Sequence, residues 1–251
     1  MNRKTFLYRV GVVGVVGLMN PVRLFAHTAE GRFVPKELMG IHRPDLYGEG
    51  FNLRKEAATA FQNMVEAARK EGIKLYSASS YRSFDHQNRI WERKYNLYKK
   101  QGLSEQQIFD KIVEYSTIPG TSRHHWGTDL DVIDLSKSTP SDPLRASHFE
   151  EGVYRDLHQW LLKHANDFGF YEVYTNVKER KGFAYEPWHY SYKPLSIPIL
   201  KAMNKLNLRD VLANLSLKGS EHFSQSFIDR YIRDNLNDIN PVLQDESYEV
   251  D

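Results

Sequence analysis

Ser122-Arg123-His124-His125-Trp126-Gly127-Thr128-Asp129-Leu130-Asp131 is the stretch whose reading decides the fold. His124 and Asp131 are seven residues apart and would share a face on a helix, but Pro119, Gly120 and Gly127 argue for a loop that turns into a strand. Gly127 lets the chain fold back, so that both side chains can reach one point. With residues 128 to 133 as a strand, Thr128, Leu130 and Val132 face a core while Asp129 and Asp131 point the other way.

Upstream, residues 30 to 51 read as an irregular lead-in, rich in proline and glycine. A helix follows, capped by Asn52, with Ala57, Phe61, Met64, Val65 and Ala68 at three- and four-residue steps and Gly72 at its end. Residues 73 to 78 alternate as a strand, which places Arg82 just beyond a strand end. A helix over residues 84 to 99 carries Trp91, Tyr95 and Tyr98, and the capping box at Ser104 opens another.

Downstream, residues 137 to 149 read as a loop, and Val153, Leu157, Trp160, Leu161 and His164 mark an amphipathic helix closed by Gly169. Strands are expected at residues 170 to 174 and 185 to 192, the second carrying Glu186-Pro187-Trp188-His189. From Ser196 the pattern becomes helical, in three segments, the last with Phe223, Phe227, Ile228, Tyr231 and Ile232 on its apolar side. The class is α+β with a C-terminal helical extension. The expected division is a leader over 1–28, a catalytic domain over 29–193 and the extension over 194–251, its acidic end frayed.

The leader expectation rests on a basic start, an apolar run from Val10 to Leu18, and Leu24-Phe25-Ala26 before polar sequence. The run is shorter than the roughly 20 apolar residues of a spanning helix. Export to the periplasm, cell envelope or exterior follows, with no stable membrane span after cleavage near residues 26 to 29; the alternative is a retained anchor, for which Arg9 speaks. Arg3, Lys4, Arg9 and Arg23 lie in this segment, so subtracting four from the net charge of +2 leaves −2, and no nucleic-acid partner is implied. The absence of cysteine excludes thiolate metal sites, a cysteine nucleophile and disulfides.

The residues that carry chemistry are few. Imidazole nitrogen and carboxylate oxygen suit zinc, and a catalytic zinc site takes three protein ligands; His124, Asp131 and His189 supply such a set. Glu186 is left to take a proton from water and pass it to a leaving amine. Arg82 suits either an oxyanion or the free carboxylate of a peptide end. Gln87, Ser122 and Trp188 are substrate-contact candidates. His125 reads as a pocket residue or as support for a ligand, and Asp129 as support or a surface carboxylate. The remaining histidines, His27, His42, His86, His148, His158, His164 and His222, read as structural or surface residues.

Ser122-x-His124-x-x-Gly127-x-x-x-Asp131, followed by Glu186-x-x-His189 and preceded by Ser80-Tyr81-Arg82-Ser83, resembles the VanY-type D-alanyl-D-alanine carboxypeptidases, within the zinc peptidases that include lysostaphin-like enzymes and the hedgehog domain. The similarity covers roughly residues 50 to 192. It implies a small antiparallel sheet flanked by helices, zinc on His124, Asp131 and His189, Glu186 as general base and acid, Arg82 near the scissile group, and peptidoglycan stem peptide as substrate. Terminal D-alanine removal is the first expectation. An L,D-carboxypeptidase, an endopeptidase using the same site, or a non-catalytic zinc-containing cell-wall binding module are its rivals. Asp129 departs from the resemblance, which implies a small residue there; the helices after residue 194 lie beyond it. The oligomeric state is not legible.

Overall fold

A computed structural model describes residues 33–244. The expected leader and the acidic end fall outside the described residues. In chain order the principal elements are α1 (Pro35–Leu38), α2 (Lys55–Lys70), β1 (Leu75–Ser79), α3 (Phe84–Lys100), α4 (Glu105–Ile112), β2 (Asp129–Asp134), α5 (Ala146–Glu150), α6 (Arg155–His164), β3 (Phe170–Glu172), β4 (His189–Tyr192), α7 (Lys193–Asn204), α8 (Leu208–Ala213) and α9 (Gln225–Arg230). Among the described residues no helix is long and apolar enough to cross a membrane.

The four strands form one antiparallel sheet in the order β1-β2-β4-β3, and helices flank it, as an α+β fold requires. Leu130, Val132, Phe170 and Tyr190 turn from the sheet into an apolar cluster with Phe61 and Met64 of α2 and Leu157 and Leu161 of α6. Period-two alternation sends Asp129, Asp131, His189 and Ser191 to the other face. That face is covered as well, so all six residues of β2 are buried.

Local chemistry explains most element ends. Ser83 caps α3 by accepting from the His86 amide, and Ser104 with Gln107 closes the capping box of α4. Helix α2 starts later than its periodicity suggests, after Arg54, because Asn52 is engaged elsewhere. Its amide donates to Ser80 Oγ and its carbonyl accepts from the Tyr81 amide, tying the approach to α2 to the exit of β1. The loop expected over 137 to 149 closes into α5 at its end. The strand expected over 185 to 192 begins only at His189, since residues 186 to 189 form a turn in which the His189 amide donates to the Glu186 carbonyl.

The helices after residue 194 share a second apolar cluster with α3 and α4, in which Trp91, Phe109, Leu200, Leu212, Phe227 and Tyr231 are buried together. They also reach the histidine stretch by hydrogen bonds. The Ile118 amide donates to Tyr231 Oη at 2.9 Å, and Thr121 Oγ1 lies 2.7 Å from the same hydroxyl. Trp91 Nε1 donates to the Lys218 carbonyl and Asn235 Nδ2 to that of Val113. The proline-glycine breaker before the site is therefore held from behind by the C-terminal helices.

Glu172, at the end of β3, is buried beside Tyr185 and Tyr190. Burial, opposed by the charge of Arg180, lifts its carboxyl from 4.5 to about 7. The folded state thus holds a proton that the unfolded chain releases, and stability should fall as pH rises through the interval from about 4.5 to about 7, by at most about 3 kcal/mol from this group. Urea unfolding at pH 5 and pH 7.5 should show a smaller loss for Glu172→Gln than for the unaltered protein; equal losses would remove Glu172 as the cause.

Candidate active site

Residues 123 to 126 form a single 3-10 turn, and Gly127 follows in the left-handed region at φ 67°. The backbone angle is what calls for glycine there, since a Cβ would press only on the mobile end of the Leu46 side chain. From this turn the chain enters β2, where Asp131 pairs directly with His189 of β4. Directly opposed residues on adjacent strands bring their Cβ atoms within about 5 Å, so the sheet register itself joins two residues far apart in sequence.

His124 closes the set. Its Nδ1 lies 2.8 Å from the Ser80 carbonyl, an acceptor, so that nitrogen carries the proton and Nε2 presents a lone pair 3.5 Å from Asp131 Oδ2. The Arg82 amide donates to the His124 carbonyl, clamping the turn to the chain that leaves β1. One donor atom from each of His124, Asp131 and His189 falls within 4.8 Å of the others. All three residues are buried, and Asp131 Oδ1 has no hydrogen-bond partner among the described residues. Two imidazole nitrogens and an otherwise unsatisfied carboxylate oxygen, converging in a buried corner, fit a divalent metal ion.

Burial works against a charged His189, yet its hydrogen bonds with Asp129 and Glu186 and the charge of Asp131 lift the imidazole to about 10. Burial, reinforced by Glu186, raises the Asp131 carboxyl to about 6, and burial with the Arg82 charge pushes His124 well below its ordinary range.

Glu186 sits in the turn before β4, with Oε2 3.1 Å from His189 Nδ1. Arg82 donates from one guanidinium nitrogen to Gln87 Oε1 at 2.8 Å and from the other to Ser79 Oγ at 3.0 Å, which fixes its orientation. Both residues line a cleft of about 710 Å³ together with His124, Asp131, His189, Ser122 and Trp188. That volume lies within the usual range for a small-molecule or peptide-end site. Lys94 lines the same cleft, and burial lowers its pKa against the opposing charge of Glu186.

Gln87 departs from the role read for it. It is wholly buried and does not line the cleft; its amide group accepts from Arg82 and donates to Ser116 Oγ and to the Thr117 carbonyl. It holds the arginine instead of meeting a substrate. Trp188 contributes to the cleft wall, with its ring centroid 5.8 Å from that of Phe149. His125 faces away from the metal corner: its Nε2 accepts from the Gly120 amide, so Nδ1 donates to the Arg82 carbonyl, and burial pulls its pKa down to about 4. It buckles the two loops together as a neutral ring.

Asp129 is wholly buried and takes part in four hydrogen bonds. Its partners are Arg123 Nε, Thr128 Oγ1, Ser191 Oγ and His189 Nε2. Burial raises its pKa, but Arg123 and His189 together hold the carboxyl well below the usual range. Arg123 and Ser191 were not legible as site residues. Ser191 could have been found by alternation from His189, whereas no spacing signal announces Arg123.

An antiparallel sheet thus gathers two histidines and an aspartate, with a glutamate and a fixed arginine over one cleft, an arrangement that fits metal-assisted hydrolysis. The chain belongs to the VanY family, D-alanyl-D-alanine carboxypeptidase, whose family model matches residues 50–195. A D-alanyl-D-alanine carboxypeptidase of Enterococcus faecalis is 32% identical over 147 residues, covering 58% of this chain and 49% of that protein. The protein YodJ of Bacillus subtilis is 28% identical over 193 residues, covering 72% of this chain and 64% of its own length. The chain thus spans about half to two thirds of these curated relatives. The solved structure of VanYB in complex with D-alanine-D-alanine shares the fold, with a TM-score of 0.50 and 24% identity over 65% of this chain and 90% of that one.

Proposed function

We propose that the protein is an exported zinc peptidase that removes the terminal D-alanine from peptidoglycan stem peptides. The observation that carries this is the convergence of the His124, Asp131 and His189 donors within 4.8 Å, in a domain of the VanY family. Two histidines and one carboxylate leaving a position open is a donor set suited to catalytic zinc. When bound, zinc supplies Lewis acidity toward a carbonyl and makes water a stronger acid at neutral pH.

The chain's own residues divide the remaining work. Glu186 takes the proton from the attacking water and delivers it to the departing amine, since its carboxylate lies within hydrogen-bond range of the ligand nitrogen and borders the cleft. Arg82, held by Gln87 and Ser79, presents positive charge without further ordering cost, where an oxyanion or a terminal carboxylate can meet it. Lys94 adds a second cation to the same wall, which favours a substrate that ends in a free carboxylate. Export belongs to this proposal because cell-wall peptides lie outside the cytoplasm; the sequence of residues 1 to 28 supports it.

Purified zinc-loaded protein incubated with a defined pentapeptide muropeptide should release free alanine, identified by mass spectrometry. Release from a tetrapeptide alone would assign an L,D-carboxypeptidase, and a cut within the stem an endopeptidase. Binding with no fragment released would overturn the catalytic proposal.

A further inference from the structure

Asp129 is a buried carboxylate beside the metal corner, and neither metal ligation nor proton transfer employs it. Its placement follows from the sheet. Asp129 pairs with Ser191 and Asp131 with His189, so Asp129 and His189 are diagonal neighbours on one face of adjacent strands. Its Oδ2 lies 3.1 Å from His189 Nε2, while Arg123 Nε donates to the same oxygen at 2.8 Å. The other oxygen accepts from Ser191 Oγ at 2.6 Å and Thr128 Oγ1 at 2.7 Å. Arg123 also donates to Ser191 Oγ at 2.7 Å, and its guanidinium carbon sits 4.5 Å from the centre of the Trp126 ring. The carboxylate can neither turn nor approach the metal corner.

We propose that Asp129 is a positioning residue for the metal, holding His189 in the tautomer and ring orientation that aim Nδ1 at the ion, with Arg123 and Ser191 holding the carboxylate. The proposal rests on His124, Asp131 and His189 being the metal site. An imidazole has two nitrogens. Each faces a carboxylate here, Nε2 that of Asp129 and Nδ1 that of Glu186, both at 3.1 Å. When a metal ion takes the place of the proton at Nδ1, Asp129 keeps the remaining proton on Nε2; without that acceptor the ring divides between two tautomers and two orientations about χ2, and only part of that population can ligate. A buried Arg123–Asp129 ion pair serving packing alone would need no third contact with His189, yet the carboxylate donates nothing and accepts from all four groups around it. A carboxylate behind the ring also makes Nδ1 a stronger base toward the metal.

The test is zinc affinity, measured by chelator competition, together with the histidine ring N–H signals of the zinc-loaded protein. Asp129→Ala should bind zinc about 10- to 100-fold more weakly, and the downfield Nε2–H resonance of His189 should vanish. Asp129→Asn is nearly isosteric and its amide oxygen can still accept from Nε2–H, so it should keep that resonance and show an affinity between the other two. A purely structural carboxylate would lower thermal stability in both variants and leave zinc affinity unchanged. Affinity of folded Asp129→Ala within twofold of the unaltered protein would overturn the proposal. Should that variant not fold, a wild-type affinity together with an unshifted His189 resonance in Asp129→Asn would overturn it. Failure of the unaltered protein to bind zinc stoichiometrically would overturn the metal site itself, and this inference with it; intact wild-type binding confines a failure to Asp129.

Discussion

Glu186→Gln should retain zinc and lose hydrolysis of a pentapeptide stem by about 10²- to 10⁴-fold in kcat. The substitution preserves shape, and an amide at this position can still hydrogen-bond but cannot accept a proton. Glu186 is not one of the three convergent donors, and its oxygen reaches only the nitrogen of a ligand, so metal content should stay at the wild-type level. Measuring zinc stoichiometry and turnover on the same preparation separates the roles. Wild-type turnover would refute Glu186 as the proton carrier. Loss of zinc in proportion to activity would make it a ligand.

Phe227→Ala should destabilise the protein by about 3–5 kcal/mol in urea unfolding, the usual cost of deleting a buried phenyl ring. Phe227 is 2% exposed, and its ring centroid lies 5.3 Å from that of Phe109, 5.1 Å from Phe223 and 6.3 Å from Tyr231. The helix that carries it belongs to one apolar cluster with α3 and α4. The next turn supplies Tyr231, whose hydroxyl holds the loop before the histidine stretch. Zinc affinity of the folded fraction should be unchanged, because the variant leaves the Tyr231 hydroxyl in place. A loss below about 1 kcal/mol, no more than an average point substitution costs, would mean that these helices pack on the domain without supporting it.

Regular, periodic segments were the readily legible part of the chain. Helix α4 begins where the capping box at Ser104 announces it, because a cap is a contact between residues close in sequence. Asn52 shows the limit of that rule. It is a good capping residue by type, but the long-range contacts with Ser80 and Tyr81 claim it, and α2 starts after Arg54. Gln87 fails in a similar way: helical spacing brings it near Arg82, but only the packing of Ser116 and Thr117 against α3 reveals that its amide faces inward.

The sequence by itself determined the donor types, the glycine turn, the face shared by Asp129 and Asp131, and the pairing of a histidine with a glutamate three residues before it. All of these are local properties of spacing and backbone freedom. The tertiary structure alone decided that Asp131 and His189 stand opposite each other, that Arg82 is locked by Gln87 and Ser79, and that Asp129 backs His189 in the grip of Arg123. Strand register and buried polar pairing join residues distant along the chain, and no local pattern encodes which partner a buried carboxylate will find.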